Sequence, residues 1–460
     1  MKPVLFLVVT CLAVAGCQHD ESADRSSETS SESAFSSRYA ALPNETTLLR
    51  NATVLTGTGE QLEAADVLMQ DGKIAAVGNN LSHEGALVVD ASGHWVTPGI
   101  IDLHSHLGVY PSPSVEAHAD GNEMTAANTA EVWAEHSVWP QDPGFVAALA
   151  GGVTSLQILP GSANLFGGRS VTVKNVPGRT VQDMKFPGAP HGLKMACGEN
   201  PKRVYGFGKG VAPFTRMGNV AGYRKAWIAA ADYRTRSEKA LNGDGDAPLR
   251  DLQLETLVGV LDGEILVHNH CYRADEMAIM LDIAEEFGYR IASFHHAVEA
   301  YKIPDLLADS GTCAAVWADW WGFKMEAYDG IVENAALVDK AGACAIVHSD
   351  DDLGIQRLNQ ETAKIIGAAA RAGMNITPGH AIRWITSNPA KALGIGDLVG
   401  TLETGKMADV TVWAGDPFSV YTKVSRVYID GALVYDRDDP ARNPVTDFTL
   451  GSLAQQGGAQ

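Results

Sequence analysis

The sequence predicts an α/β fold: a TIM-type (β/α)8 barrel with a small β-sandwich built from both ends of the chain. Three observations carry this reading. Through the middle of the 460 residues, short apolar runs of strand type alternate with helical stretches. Segments rich in β signals flank that middle on both sides. The inferred strands end repeatedly in His, Glu or Asp, which closure of a barrel would gather at one mouth.

Taken in order, residues 1–17 read as a secretory leader. Lys2 precedes the apolar run Val4 to Ala15, which is too short to span a bilayer as a helix. Val14 to Cys17, VAGC, resembles a bacterial lipobox and makes Cys17 the expected lipidation site, with Gln18 after it suggesting the outer membrane of a Gram-negative envelope, facing the periplasm. Residues 18–43 hold eight serines between Ser22 and Ser37 and almost no aliphatics, so a disordered tether is expected there. Residues 44–97 form the first part of the sandwich, with Asp71-Gly72 as a hairpin signal. The barrel is expected over 98–395, on the strands IIDLHSH, GVTSLQIL, RSVTVKN, GLKMACGE, EILVHNH, RIASFHH, TCAAVWA and ACAIVHS. Residues 396–440 complete the sandwich, with Asp430-Gly431 as a second hairpin signal, and 441–460 are a tail.

A formal net charge of −20 argues against nucleic acid or an anionic membrane surface as a partner, and leaves a small-molecule substrate, with membrane contact only through the lipid. Outside the leader, Cys197, Cys271, Cys313 and Cys344 form no CxxC; in an oxidising periplasm they could pair, with a connectivity that sequence does not give, but free, buried thiols are the expectation.

The chemistry begins at Thr97 to His106, TPGIIDLHSH. Residues i and i+2 of a strand share a face, so His104 and His106 can converge on one cation. Further stations follow at Glu199 after strand four, His268 and His270 on strand five, His295 and His296 on strand six, and His348 and Asp350 after strand eight. Within each pair, spacing alone leaves open which residue faces the site.

The motifs PGIIDLHSH, PGSANLFGG, GENPKRVYG, HCYRADEM and HSDD, together with the tail NPAKALGIGDLVGTLETGKMADVTVW, resemble the metal-dependent amidohydrolase superfamily, in its imidazolonepropionase-related and prolidase-like branch. The resemblance covers about Leu48 to Asp436. It implies that His104, His106, His270, His296 and Asp350 hold one or two divalent metal ions, zinc first, and that Asp350 also moves protons. Many relatives bridge two metals with a carboxylated lysine on strand four, and others use a glutamate. Glu199 is taken as the match, with Lys194 and Lys202 as competitors. His268 and His295 are expected to pack behind the ligands, and Asp351 and Asp352 to be solvated. Tyr272 and Arg273 are candidates to hold a substrate carboxylate, although a structural salt bridge is an equal reading of Arg273. PGSANLFGG lacks the GK[ST] ending of a phosphate loop and reads as an active-site loop. The segment Val109 to Pro143, with Trp133 and Trp139, would cover the mouth.

The implied function is hydrolysis of a C–N bond, of amide type, in a dipeptide or N-acyl amino acid. The alternatives are a cyclic amide of imidazolone type, or a catalytically silent metal-binding lipoprotein.

Overall fold

A single glycine separates the two sheets of the protein. In the computed structural model, which describes residues 35–320 and 322–445, strand Trp95–Pro98 belongs to one sheet and strand Ile100–Ser105 to the other. The Gly99 N–H donates to the Asp409 carbonyl at 2.8 Å, and a Cβ there would sit 2.1 Å from Thr154 Oγ1. No larger residue fits that crossing. The expected leader, Cys17, most of the tether and most of the C-terminal tail lie outside the described residues.

The flanking sheet joins both ends of the chain. Trp95–Pro98 pairs in parallel with Thr47–Leu55 on one side and antiparallel with Val410–Trp413 on the other. Gln61–Gln70, Lys73–Gly78 and Leu87–Asp90 extend the first half, and Val424–Ile429 and Ala432–Asp436 extend the second. Both Asp-Gly signals are tight turns with left-handed backbone, at φ 51° and 75° for Asp71 and Gly72 and 47° and 73° for Asp430 and Gly431, as two-residue hairpins require. Leu49, Val54, Val67, Ile74, Val96, Val410 and Tyr428 form one buried core under this sheet.

The barrel strands are β1 (Ile100–Ser105), β2 (Val153–Ile158), β3 (Phe166–Lys174), β4 (Gly192–Ala196), β5 (Leu266–His270), β6 (Ile291–His295), β7 (Cys313–Val316) and β8 (Cys344–Val347). They form one sheet in sequence order. Beyond β8, the Asp350 N–H donates to the His104 carbonyl at 2.9 Å and joins the last strand to the first. One strand departs from the expected all-parallel barrel: β3 is antiparallel to both β2 and β4. Only residues 159–165 connect β2 to β3, and a parallel return needs a crossover of about a dozen residues. The helices follow the expected period. In Leu358–Arg371 the buried positions Leu358, Thr362, Ile365, Ala368 and Ala369 line one face. No helix among the described residues is long and apolar enough to cross a membrane.

Two expectations are corrected. The last residues assigned to the tether are tied to the fold: Ser37 Oγ donates to the Lys185 carbonyl at 2.6 Å, the Arg38 N–H to the Gln182 carbonyl at 2.9 Å, and the Tyr39 hydroxyl to Asp430. The four cysteines are not free thiols. Cys197 and Cys271 follow the neighbouring strands β4 and β5, and Cys313 and Cys344 face each other across β7 and β8. That places their Cα atoms 5.2 and 4.4 Å apart, within disulfide reach, and both pairs are bonded.

Candidate metal centre

Strand alternation sets the site. Leu193 and Met195 of β4 turn outward into the core between sheet and helices, so Lys194 turns into the barrel. On β1, Ile101 and Leu103 pack outward, which sends His104 inward. At the mouth, His296 and Asp350 each adopt a left-handed backbone at φ 58°, an uncommon conformation for a residue with a Cβ, and one that His and Asp tolerate better than most.

Three acceptors converge at the mouth. Asp350 Oδ1 lies 3.2 Å from His104 Nε2 and 3.1 Å from His106 Nε2, and those two nitrogens are 3.2 Å apart. Asp350 Oδ2 lies 3.7 Å from His296 Nε2. His106 Nδ1 donates to the Leu159 carbonyl at 2.8 Å, so its Nε2 presents a lone pair to the carboxylate. Behind the mouth, His104 Nδ1 meets His295 Nδ1 at 2.8 Å and His295 Nε2 meets His268 Nδ1 at 2.9 Å. His268 and His295 therefore brace His104 from below.

Burial drives the electrostatics. It pushes His104, His270, His295 and His296 well below the usual imidazole range, and His268 and His348 down to about 3. These rings are neutral near pH 7, each with a lone pair available. Burial also pushes Lys194 down to about 7, partly offset by Asp350, and its Nζ lies 3.4 Å from His104 Nε2. Asp102, fully buried beneath the site, is pushed up to about 7 by the same cause, against hydrogen bonds from Ser349 and from the His104 backbone.

The residues present suit a divalent cation. Buried Nδ1 of His270, Nδ1 of His296 and both ring nitrogens of His348 make no hydrogen bond, which is costly for polar atoms unless something else occupies their lone pairs. His104, His106 and Asp350 form one group with ligand atoms within 4.8 Å of each other, and His104, His296 and His348 form a second. Neutral imidazoles and a carboxylate are the donor set of zinc and similar metals.

The structure brings His104, His106, His296 and Asp350 into this cluster, with His270 beside His296 at a ring separation of 4.7 Å. It does not bring Glu199 in. Strand β4 ends at Ala196, Gly198 turns the chain at φ 77°, and Glu199 faces Lys324 at 3.7 Å. Lys202 opens the helical stretch Lys202–Phe207 and belongs to neither ligand group. The strand-four side chain in the site is Lys194. Arg273 is also absent from it: its guanidinium makes a two-pronged pair with Asp275 at 2.9 and 2.8 Å on an exposed helix start. Tyr272 is buried against the site, edge-on to His270 at 4.7 Å. Asp351 is half-buried, where its carboxylate accepts the Gly354 N–H. Sequence reasoning missed Trp317, which stacks on His296 at 4.3 Å and donates to the Ser349 carbonyl, and it gave no role to Lys324.

A cavity of about 440 Å³ is lined by Asn122, Glu131, Trp133, Pro160 and Gly167 among others, and by no member of the cluster itself. A Cβ on Gly167 would lie 3.6 Å from Lys194 Cγ. The loop PGSANLFGG and the segment Val109 to Pro143 both line this cavity, although Trp139 lies against His118 instead.

Fold and centre together define a barrel with a histidine-aspartate site built for a divalent metal. The Amidohydrolase family model matches residues 326–434. The crystal structure of an amidohydrolase from Thermotoga maritima MSB8 is 37% identical with a TM-score of 0.79, over 85% of this chain and 100% of that one. Amidohydrolase tasK of Hapsidospora irregularis is 32% identical over 441 residues, 87% of this chain; the chain spans 44% of that relative's length. Imidazolonepropionase of Mesorhizobium japonicum is 23% identical over 386 residues, 76% of this chain and 87% of its own. The chain belongs to the amidohydrolase family.

Proposed function

We propose that this protein is a metal-dependent hydrolase that cleaves an amide-type C–N bond in a small molecule, with dipeptides and N-acyl amino acids as the substrate class. The observation that carries this reading is the meeting of Asp350 with the bare nitrogens of His104 and His106 at 3.1–3.2 Å. A carboxylate facing lone pairs is repulsive unless a cation or a proton lies between them.

His104, His106 and Asp350 would hold metal on one side, and His270 and His296 on the other. When bound, one or two divalent ions, zinc first, supply Lewis acidity towards the carbonyl and acidify the attacking water. The strand-four group that would also hold metal is Lys194. Its amine, neutral above about pH 7, adds to carbon dioxide; an N–C bond forms, a proton leaves, and the carbamate supplies the two oxygens and negative charge that the bare amine lacks. Asp350 takes the proton of the attacking water and returns it to the leaving nitrogen. Tyr272 walls the substrate side.

The test is metal analysis of the purified protein combined with a screen of dipeptides, N-acyl amino acids and cyclic amides. Turnover confined to cyclic amides would move the substrate class towards that named for the imidazolonepropionase relative. Full metal content with no hydrolysis would favour a silent metal-binding lipoprotein.

We further infer an envelope location, with the chain anchored through Cys17. The VAGC motif supports it, and so do the two disulfides, since such bonds persist in oxidising compartments. Cys17→Ser should release the protein from the membrane fraction, and unchanged membrane association would sink the assignment.

A further inference from the structure

The loop after β7 carries a cation with no close counter-charge among the described residues. Lys324 is largely buried, with 16% of its side chain exposed, and its nearest carboxylate is Glu199 Oε1 at 3.7 Å, itself about a third exposed. Two other buried lysines are better matched: Lys185 has Glu135 at 2.6 Å and Lys174 has Asp430 at 2.6 Å. The other acid of the loop, Glu326, is engaged by Arg216. Lys324 Nζ donates to Asn200 Oδ1 at 3.2 Å and stands 4.1 Å from the centre of the Tyr272 ring, an arrangement that stabilises a cation without neutralising it.

Both supports of Lys324 touch the metal centre. Asn200 Nδ2 lies 3.4 Å from His270 Nε2. The Tyr272 ring lies edge-on to His270 and over His296 at 5.7 Å. The ammonium therefore stands one residue away from two of the proposed ligands, on the His270 and His296 side. Burial lowers its pKa, against the pull of Glu199, Glu326 and Asp350, as expected where a charge lacks a tight partner. An ammonium also has more donors than Asn200 uses.

We propose that Lys324, seated on the Tyr272 ring, receives a carboxylate of the substrate beside the scissile bond and so sets a preference for free acids over neutral amides. The proposal rests on the hydrolase reading above and deepens it. A substrate carboxylate at Lys324 supplies the counter-charge that Glu199 gives only from 3.7 Å, and it fixes the amide against the His270 side of the centre. Arg273, for which the sequence left a substrate carboxylate and a structural salt bridge equally open, is paired with Asp275.

The test compares a panel of N-acetyl amino acids with the matching carboxamides, on metal-loaded wild type, Lys324→Gln and Lys324→Arg. Wild type should favour the acids in kcat/KM. In Lys324→Gln the acid-to-carboxamide ratio should fall about 10- to 100-fold, the range of a charge-assisted hydrogen bond, chiefly through KM and with metal content retained. Lys324→Arg should restore part of the ratio. A wild-type ratio near one, or an equal loss on acids and carboxamides in Lys324→Gln, overturns the proposal while leaving the hydrolase reading intact. If wild type hydrolyses none of the panel, the hydrolase reading fails on these substrates, and equilibrium binding of the same pairs decides the inference: acids must bind more tightly than carboxamides, and Lys324→Gln must abolish the difference.

Discussion

Two lysines on adjacent barrel strands, both fully buried, have opposite surroundings. Lys174 closes β3 at the end of the barrel that meets the flanking sheet. Its Nζ lies 3.1 Å from Asp409 and 2.6 Å from Asp430, and the Tyr39 hydroxyl completes the group. Lys194 on β4 faces the mouth with no carboxylate of the described residues in ion-pair contact, only His104 Nε2 at 3.4 Å. The same side chain thus does different work at the two ends. At the closed end charges are matched and join barrel, flanking sheet and leading segment. At the mouth polar groups are left wanting, which is where a metal and a substrate can be accommodated.

Asp350→Asn probes the mouth most severely. The amide keeps the shape and one oxygen but cannot carry protons, so turnover should fall by about 10²–10⁴-fold while most of the metal remains. Asp351→Asn should leave turnover near wild type, since that side chain accepts the Gly354 N–H and has no contact with the cluster. A larger loss at Asp351 than at Asp350 would reverse the proton assignment.

The closed end should answer in stability. Lys174→Met leaves Asp409 and Asp430 buried without their cation, and breaking such a pair typically costs about 3–5 kcal/mol. Denaturant unfolding of the metal-free protein reads this directly. Lys194→Met should do the opposite: an apolar chain replaces an amine with no ionic partner, so Tm should hold or rise, while metal content and hydrolysis collapse. Equal destabilisation by the two substitutions would remove the contrast.

The mildest test uses pH. With Lys194 at about 7, the amine is mostly neutral above that value and mostly ammonium below it, and only the amine adds carbon dioxide. At fixed dissolved carbon dioxide, recovery of activity in metal-stripped protein should slow as pH falls, by about tenfold per unit well below 7. Intact mass of the reloaded protein should show the added carboxylate on Lys194. A rate flat through this range would assign the bridge elsewhere.

Much of this was legible in sequence. The eight strands, the HxH on β1 and the two-ended sheet follow from period and turn chemistry, and His296 and Asp350 follow from motif. The direction of β3 was also readable, because residues 159–165 hold no crossover, but the strand run alone carries no direction. Glu199 matches the bridging position only through relatives that use a glutamate after strand four. Strand alternation argues for Lys194, since Leu193 and Met195 are the apolar partners that must face outward. The disulfides depend on which strands lie side by side, which no local pattern reports. Lys324 was invisible because its role comes from Tyr272 and Asn200, both distant in sequence.

The left-handed backbone at His296 and Asp350 bears on how this protein responds to selection. Each position holds a conformation that glycine adopts freely and other residues adopt at a cost of order 1 kcal/mol. In a randomised library sorted for thermal survival alone, glycine should accumulate at 350 and give inert survivors, whereas at 296 the cavity left beside Trp317 outweighs the backbone relief. A library sorted for turnover should reject the same substitutions. The two sorts would diverge at 350, marking where robustness and activity are in direct conflict.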